Sequence, residues 1–427
     1  MLKNHVYILD YELISPIAIG VEKIIDSIQD NFCAENTISR FPVNGMPFTK
    51  AAEIKEDLSL FYSKESGVIK KACKYDRKLE LLAACYGKSS NRIASLIDLF
   101  EPDKTGVILG VGADVTPFEL YEEELSEYIR LEYNFMTELF TQINDNDSRI
   151  NLAGNPYDFY SVYLSNKFNA GAFQKSILTA CVSSTQAIGL AYDTIANGEV
   201  DVVIAGGTDS VINMLAMISF GKLGIIPEAS SEPSCKPFDV NRNGTLGGEC
   251  AGFTILASED FVKKNKLNPV AQILGYGNTL DGYKITAPDP TGKSITQAIK
   301  DAMTNSGISA DMINYINAHG TGTKHNDALE LSCFENALGN YSKTIPISST
   351  KGRHGHAIAA AGIQEFCVLM ELMKHDVIPG NINLKKSCKP EFNLVLENRT
   401  GKIDYALSSN FAFGGINTVL VVKNENP

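Results

Sequence analysis

Short β-branched runs recur along this chain, each followed by a longer segment of helical period, and that rhythm limits it to an α/β fold. The runs lie at residues 6–9, 105–109, 176–179, 202–205, 252–256, 345–348 and 418–422. Strands alternating with helices give sheets covered on both faces. Ala-rich stretches at 183–196 and 358–373 are long enough for buried or half-buried helices. No Ser/Pro linker divides the chain, and its 427 residues exceed what one compact core holds. Two to three domains, or one large duplicated fold, are expected.

Composition excludes several classes. Hydrophobic residues make up 44% and charged residues 21%, and no window is apolar enough for a membrane span. Acidic residues outnumber Lys and Arg by 50 to 38, a net charge of −12, which argues against a nucleic-acid or anionic-membrane surface. The nine cysteines are odd in number and none pair as C-x-x-C or in another metal-ligand spacing, so no metal is expected. The apolar patch near the N-terminus is short and interrupted by Asp10 and Glu12, unlike a signal peptide. A reducing, cytoplasmic location is the expectation, with most cysteines buried as small apolar side chains.

Residues 176–200 and 345–379 echo each other: each reads as strand, polar turn and apolar helix. The first turn carries Cys181; the second carries Lys351, His354 and His356. Two copies of one unit would place different chemistry at equivalent turns. A cysteine where a strand meets a helix N-terminus sits beside unpaired N–H groups and the positive end of the dipole, and both favour a thiolate. The same position also suits a buried structural thiol. Asn317-Ala318-His319-Gly320-Thr321-Gly322-Thr323 follows a strand expected at 313–316 and puts a histidine in a loop where a thin substrate can pass close to the backbone. Near the C-terminus, Asn410-Phe411-Ala412-Phe413-Gly414-Gly415-Ile416-Asn417 is a glycine turn from which an oxyanion-binding N–H can be offered.

Taken in order, Thr179–Ser184, then Pro237-Phe238-Asp239 with Arg242, Gly244, Gly248 and Glu249, the His319 loop, Ser349–Gly362 and the Phe411–Phe413 turn span nearly the whole chain. This series resembles the elongating β-ketoacyl-[acyl carrier protein] synthases of the thiolase superfamily. The resemblance implies a duplicated thiolase-like α/β fold in five layers, αβαβα. Its N-terminal half, 1–257, would carry the nucleophilic cysteine; its C-terminal half, 258–427, would carry the two histidines and the phenylalanine gate.

It also implies an acyltransferase. Cys181 would take the acyl chain as a thioester, with its own N–H and that of Phe413 as the oxyanion hole. His319 and His356 would hydrogen-bond the malonyl thioester oxygen during decarboxylation, and condensation would give a 3-oxoacyl product. Lys351 and Glu365 match the family's buried pair. Thr321 and Thr323 resemble the hydroxyls that hold the phosphopantetheine arm of the acyl carrier protein, the partner that brings the substrates; no other cofactor is implied. Phe411 and Phe413 resemble a hinged gate, and Phe220, Ala113 and Asp114 are further substrate-binding candidates. A homodimer, or a heterodimer with a ketosynthase-like homologue, is implied.

Several positions depart from the family pattern. Asp114 places an acid beside an alkyl pocket, Lys284 stands where histidine is common, and Ala412 and Ile416 replace glycine and threonine. The acidic and aromatic excursion at 118–163 is long. These departures point to a specialised fatty-acid, polyene or polyketide-like pathway. Lys70, Lys71, Lys74, Arg77, Lys78 and Lys88 form a basic cluster suited to an acidic carrier protein or, equally, to a solvated helix face. Asp239, Arg242 and Glu249 read as scaffold, and His354 as solvent-facing. The alternatives are a non-catalytic, chain-length-factor-like subunit and a cysteine hydrolase; the former usually lacks the nucleophile, and the latter needs an orienting carboxylate that neither histidine has nearby in sequence.

Overall fold

The β-branched runs become strands of a sheet whose two halves repeat one connectivity. A computed structural model describes residues 4–74, 76–113, 157–228 and 233–426. In it, β1 (Val6–Ser15), β2 (Thr105–Val111), β3 (Phe173–Ile177), β4 (Val202–Ser210) and β5 (Glu249–Ser258) lie in the order 3-2-4-5-1. The later strands are β6 (Ala271–Leu280), β7 (Tyr315–Asn317), β8 (Ile347–Ser348), β9 (Tyr405–Phe411) and β10 (Ile416–Asn424), ordered 8-7-9-10-6. Each order is the other shifted by five. The pairings match as well: β2 is parallel to β3 and β4, and β7 is parallel to β8 and β9. The remaining neighbours within each half are antiparallel. The halves meet where Val6, Tyr7 and Ile8 of β1 pair with Ile273, Gln272 and Ala271 of β6.

The described helices of nine or more residues are α1 (Arg77–Ile97), α2 (Phe159–Lys167), α3 (Ser183–Ala196), α4 (Met214–Lys222), α5 (Lys293–Ser306), α6 (Lys324–Leu338) and α7 (Ala361–His375). Helices α1 and α2 cover the β1–β5 half, α5 with α6 alongside covers the β6–β10 half, and α3 and α7 pack against each other and against strands of both halves. This gives the αβαβα layering expected of the duplicated fold. The central helices are apolar nearly all round, because each faces sheet on two sides: residues 361–373 of α7 are all buried. Helix α1 begins where Asp76 accepts the N–H of Leu79 at 3.1 Å, a side-chain cap worth about 1 kcal/mol.

The structure moves some boundaries. The strand expected at 176–179 lies at Phe173–Ile177, since the chain already turns at Leu178–Ala180 to enter α3. The helix expected from 358 begins at Ala361, after a 3₁₀ turn. Of the excursion at 118–163, all but its end, which forms α2, lies outside the described residues, and so does Asp114.

Candidate active site

Strands β3 and β8 hold corresponding places in the two strand orders; β3 leads through a tight turn into α3, and β8 leads through the short helical turn Lys351–His354 and the 3₁₀ turn Ile358–Ala360 into α7. In the first turn Ala180 adopts φ +51°, a left-handed conformation that reverses the chain within one residue and leaves Cys181 just ahead of α3. The turn can sit on the sheet because β2 offers a glycine there: a Cβ on Gly110 would lie 2.4 Å from the N of Ser184. Cys181 is 7% exposed, and its Sγ lies 3.1 Å from Nε2 of His356, carried by the second turn.

His319 completes the cluster. Its ring centroid is 5.5 Å from that of His356, edge to face, and 5.8 Å from Phe411. Behind it, Lys351 is fully buried; its Nζ donates to the His319 carbonyl at 2.6 Å, lies 3.3 Å from His319 Nδ1 and pairs with the Glu365 carboxylate. Asn410 ties these together. Its Oδ1 accepts from Thr185 Oγ1 at 2.5 Å, and its Nδ2 lies 2.8 Å from Glu365 Oε2 and 3.2 Å from His319 Nδ1. His319 Nδ1 therefore meets two donors, an ammonium and an amide, so Nδ1 is the acceptor and the ring proton sits on Nε2. His356 Nδ1 is buried and makes no hydrogen bond among the described residues.

The electrostatics follow from burial. It holds both His319 and His356 well below their usual range, reinforced by the nearby Lys351 ammonium, so both rings are neutral at ordinary pH. Burial raises the Glu365 carboxyl, with Lys351 and Asn410 opposing it. It also pushes the Cys181 thiol up to about 12, against the lowering effects of Lys351 and of the N–H groups of Phe413 and Cys181. Desolvation thus opposes the thiolate that the helix terminus favours.

Two acids that the sequence reading missed hold the His319 loop. Glu330 accepts the N–H groups of His319 and Gly320 at 2.7 and 2.8 Å, and Asp327 those of Phe238 and Gly322 at 2.7 and 3.2 Å. Burial pushes their carboxyls up to about 7 and about 6. Their signal was an i, i+3 acidic pair opening the helix after a Gly/Thr loop. Thr321 and Thr323 lie in that loop with their hydroxyls 2.9 Å apart. Phe411 is buried at the end of β9, whereas Phe413 is half-buried beyond it.

Other expected residues fall elsewhere. Ala113 is exposed after β2, and Phe220 is half-buried on α4 without a hydrogen bond or ring contact to the cysteine–histidine cluster among the described residues. His354 is not solvent-facing: it is fully buried, its Nε2 against Thr350 Oγ1 at 2.8 Å and its Nδ1 against the Gly355 carbonyl at 2.7 Å. The basic cluster is broken up. Arg77 is committed to Glu249 and Glu80, Lys78 is buried, and Lys88 pairs with Glu22; Lys71 and Lys74 are exposed and Lys70 is half-buried. Asp239 accepts the N–H groups of Lys385 and Lys386, and Arg242 donates to the carbonyls of Thr323 and Lys324, as scaffold residues do. Among the described residues, no group of three or more His, Cys, Asp and Glu side chains is placed to hold a metal, and no helix is long and apolar enough to cross a membrane.

Residues 14–261 match "Beta-ketoacyl synthase, N-terminal domain" and residues 270–385 "Beta-ketoacyl synthase, C-terminal domain". The chain belongs to the beta-ketoacyl synthase family. That makes it a condensing enzyme that transfers acyl groups. It is similar to the 3-oxoacyl-[acyl-carrier-protein] synthase 2 of Synechocystis sp., 28% identical over 99% of this chain and 98% of that protein. Among solved structures it is similar to a chain of "AntDE:AntF (apo): type II PKS acyl-carrier protein in complex with its ketosynthase bound to the hexaketide", with TM-score 0.81, 21% identity and 99% of each chain covered. It also resembles a chain of the ishigamide ketosynthase/chain length factor, with TM-score 0.80, 23% identity and 99% of each chain covered.

Proposed function

We propose that this chain condenses an acyl thioester, carried on Cys181, with a malonyl thioester carried on an acyl carrier protein. The supporting observation is the cysteine sulfur 3.1 Å from one neutral imidazole with a second imidazole alongside. The thiol attacks the acyl carbonyl and passes its proton to His356 Nε2; the departing carrier thiolate takes that proton back, so the ring ends neutral. Nothing among the described residues pins the His356 tautomer, which suits a ring that accepts a proton at one step and presents Nε2–H at the next.

In the second half-reaction, CO₂ leaves malonyl and its bonding pair becomes an enolate. The Nε2–H of His319, fixed by Lys351 and Asn410 behind it, and that of His356 hydrogen-bond the enolate oxygen. The enolate carbon attacks the Cys181 thioester. The N–H groups of Cys181 and Phe413 hold the tetrahedral oxyanion before the thiolate departs and a 3-oxoacyl chain two carbons longer is released. Lys351 and Glu365 orient the His319 loop, and Thr321 and Thr323 receive the phosphopantetheine arm. The division near residue 257, a reducing cytoplasmic setting and a dimer with itself or a ketosynthase-like homologue belong to the same reading.

The test is product identity. Incubation of the protein with acyl- and malonyl-acyl carrier protein should give 3-oxoacyl thioester with one CO₂ per turnover. Release of free acid instead would make it a hydrolase, and no product in the presence of a homologous active partner would make it a pocket-shaping subunit.

A further inference from the structure

Asp209 ends β4 beside the site, and the chemistry above gives it no task. It is 3% exposed. Its Oδ2 accepts the N–H of Ala359 at 3.0 Å, three residues past His356, and its Oδ1 that of Ser210 at 2.8 Å. Ala359 belongs to the turn Ile358–Ala360, in which Ile358 adopts φ +39°. A β-branched residue in that left-handed region is strained and persists only where its surroundings over-determine it. On the other side lies the turn after β2: a Cβ on Gly112 would stand 2.1 Å from Asp209 Oδ1. One carboxylate thus touches the turns ending β2 and β4 and the turn following His356.

We propose that Asp209 is a positioning residue whose carboxylate holds the strained Ile358 turn and, through it, keeps the His356 ring at hydrogen-bond distance from the Cys181 sulfur. The inference rests on the roles assigned to His356 and Cys181 above. Burial pushes this carboxyl up to about 6, with the Lys78 ammonium of α1 and the N–H groups of Ala359 and Ser210 favouring its ionised form. Among the described residues, the thiols of Cys181 and of Cys250 on β5 also feel its charge. A raised acid keeps its proton to higher pH, so the carboxylate that accepts from Ala359 is present above about 6 and is lost below it.

The experiment measures kcat and KM for condensation from pH 5 to 8 in wild type, Asp209→Asn, Asp209→Ala, Ile358→Gly and the double variant Asp209→Ala/Ile358→Gly. Wild-type kcat should fall on the acid side of about 6. Asp209→Asn, a neutral mimic of the protonated carboxyl in which one of the two accepting oxygens is replaced by a donor, cannot titrate and should run flat, without that limb, at the level wild type reaches on the acid side. Asp209→Ala should lose about 10- to 100-fold in kcat with KM little changed, the scale of a small misplacement of a reacting group. The double variant should recover about tenfold, because glycine takes φ > 0 without strain and no longer needs the clamp. An Asp209→Ala enzyme as fast as wild type, a double variant no faster than Asp209→Ala, or an Asp209→Asn profile that keeps the acid limb overturns the proposal. If Asp209→Ala fails to fold, the Asp209→Asn profile decides. Absence of condensation in wild type sinks the functional reading itself, and this inference with it.

Discussion

The turns after β3 and β8 occupy matched places in matched strand orders, yet their chemistry is opposite. The first has no charged side chain from Leu178 to Gln186 and offers a thiol that burial keeps protonated. The second packs Lys351, Arg353, His354 and His356 into six residues, all buried. Glu365, from the helix that follows, balances Lys351, while Arg353 is held through Nη2 by the side-chain oxygens of Asn31 and Asn398 and the Gly380 carbonyl. The comparison teaches that the duplicated scaffold brings two turns face to face and leaves them free to diverge. One specialises in the nucleophile, the other in the groups that move protons and steady charge.

Removing the second turn's contribution should have the largest effect. His356→Ala is expected to lower the single-turnover rate of condensation by about 10²–10⁴, the range for a positioned proton-transfer group. A drop below tenfold would mean that Cys181 works without the facing turn. Next is Lys351→Met, which leaves Glu365 buried without its cation and should cost about 3–5 kcal/mol in urea unfolding. Adding Glu365→Gln should restore part of that loss; if the double variant is no more stable than the single, the pair is not a unit.

Alkylation of Cys181 by iodoacetamide probes the first turn. With the thiol pushed up to about 12, the thiolate fraction grows about tenfold per pH unit and the rate should still be climbing at pH 10. A plateau below pH 8 would restore the helix-terminus picture. The smallest effect concerns His354, which burial holds down at about 3. Its folded value lies below its unfolded value near 6.5, so the unfolded chain takes up the proton first as pH falls. The stability it supports is complete above about 6.5 and declines as pH drops toward 3, by about 2 kcal/mol at pH 5. His354→Asn should lose about that much less than wild type between pH 8 and 5, measured by urea midpoints; identical slopes would show that His354 titrates freely.

What was legible in the sequence was what local pattern encodes. Helix 183–196 was visible from its Ala-rich period and matches α3 residue for residue. Cys181, His319, His356, Lys351 and Glu365 were named from motif strings, and the structure gathers them into one cluster. Strand β9 was hidden because its sequence, YALSSNF, is rich in Ser and Asn; the fold tolerates them since Ser409 bonds Glu330 and Asn410 bonds Glu365. The roles of Glu330, Asp327 and Asp209 were hidden for a related reason, although the first two stand out as an acidic i, i+3 pair. Their partners are backbone N–H groups brought close only by tertiary packing, which no spacing rule reports. Arg77 and Lys78 look like surface charge in sequence but fold inward against partners far along the chain, Glu249 and the Tyr160 ring, while His354 is buried with its own turn and bonds Thr350 and Gly355 within it.

The most direct measurement is the intact mass of the protein after exposure to a panel of acyl-acyl carrier proteins, followed by malonyl-acyl carrier protein, in wild type and Cys181→Ala. An acyl mass increment on wild type alone, discharged by the malonyl carrier as a 3-oxoacyl chain with loss of CO₂, is the expected result. An increment that persists in Cys181→Ala, or one on wild type that malonyl cannot discharge, would contradict the assignment of the two facing turns as nucleophile and condensing partner.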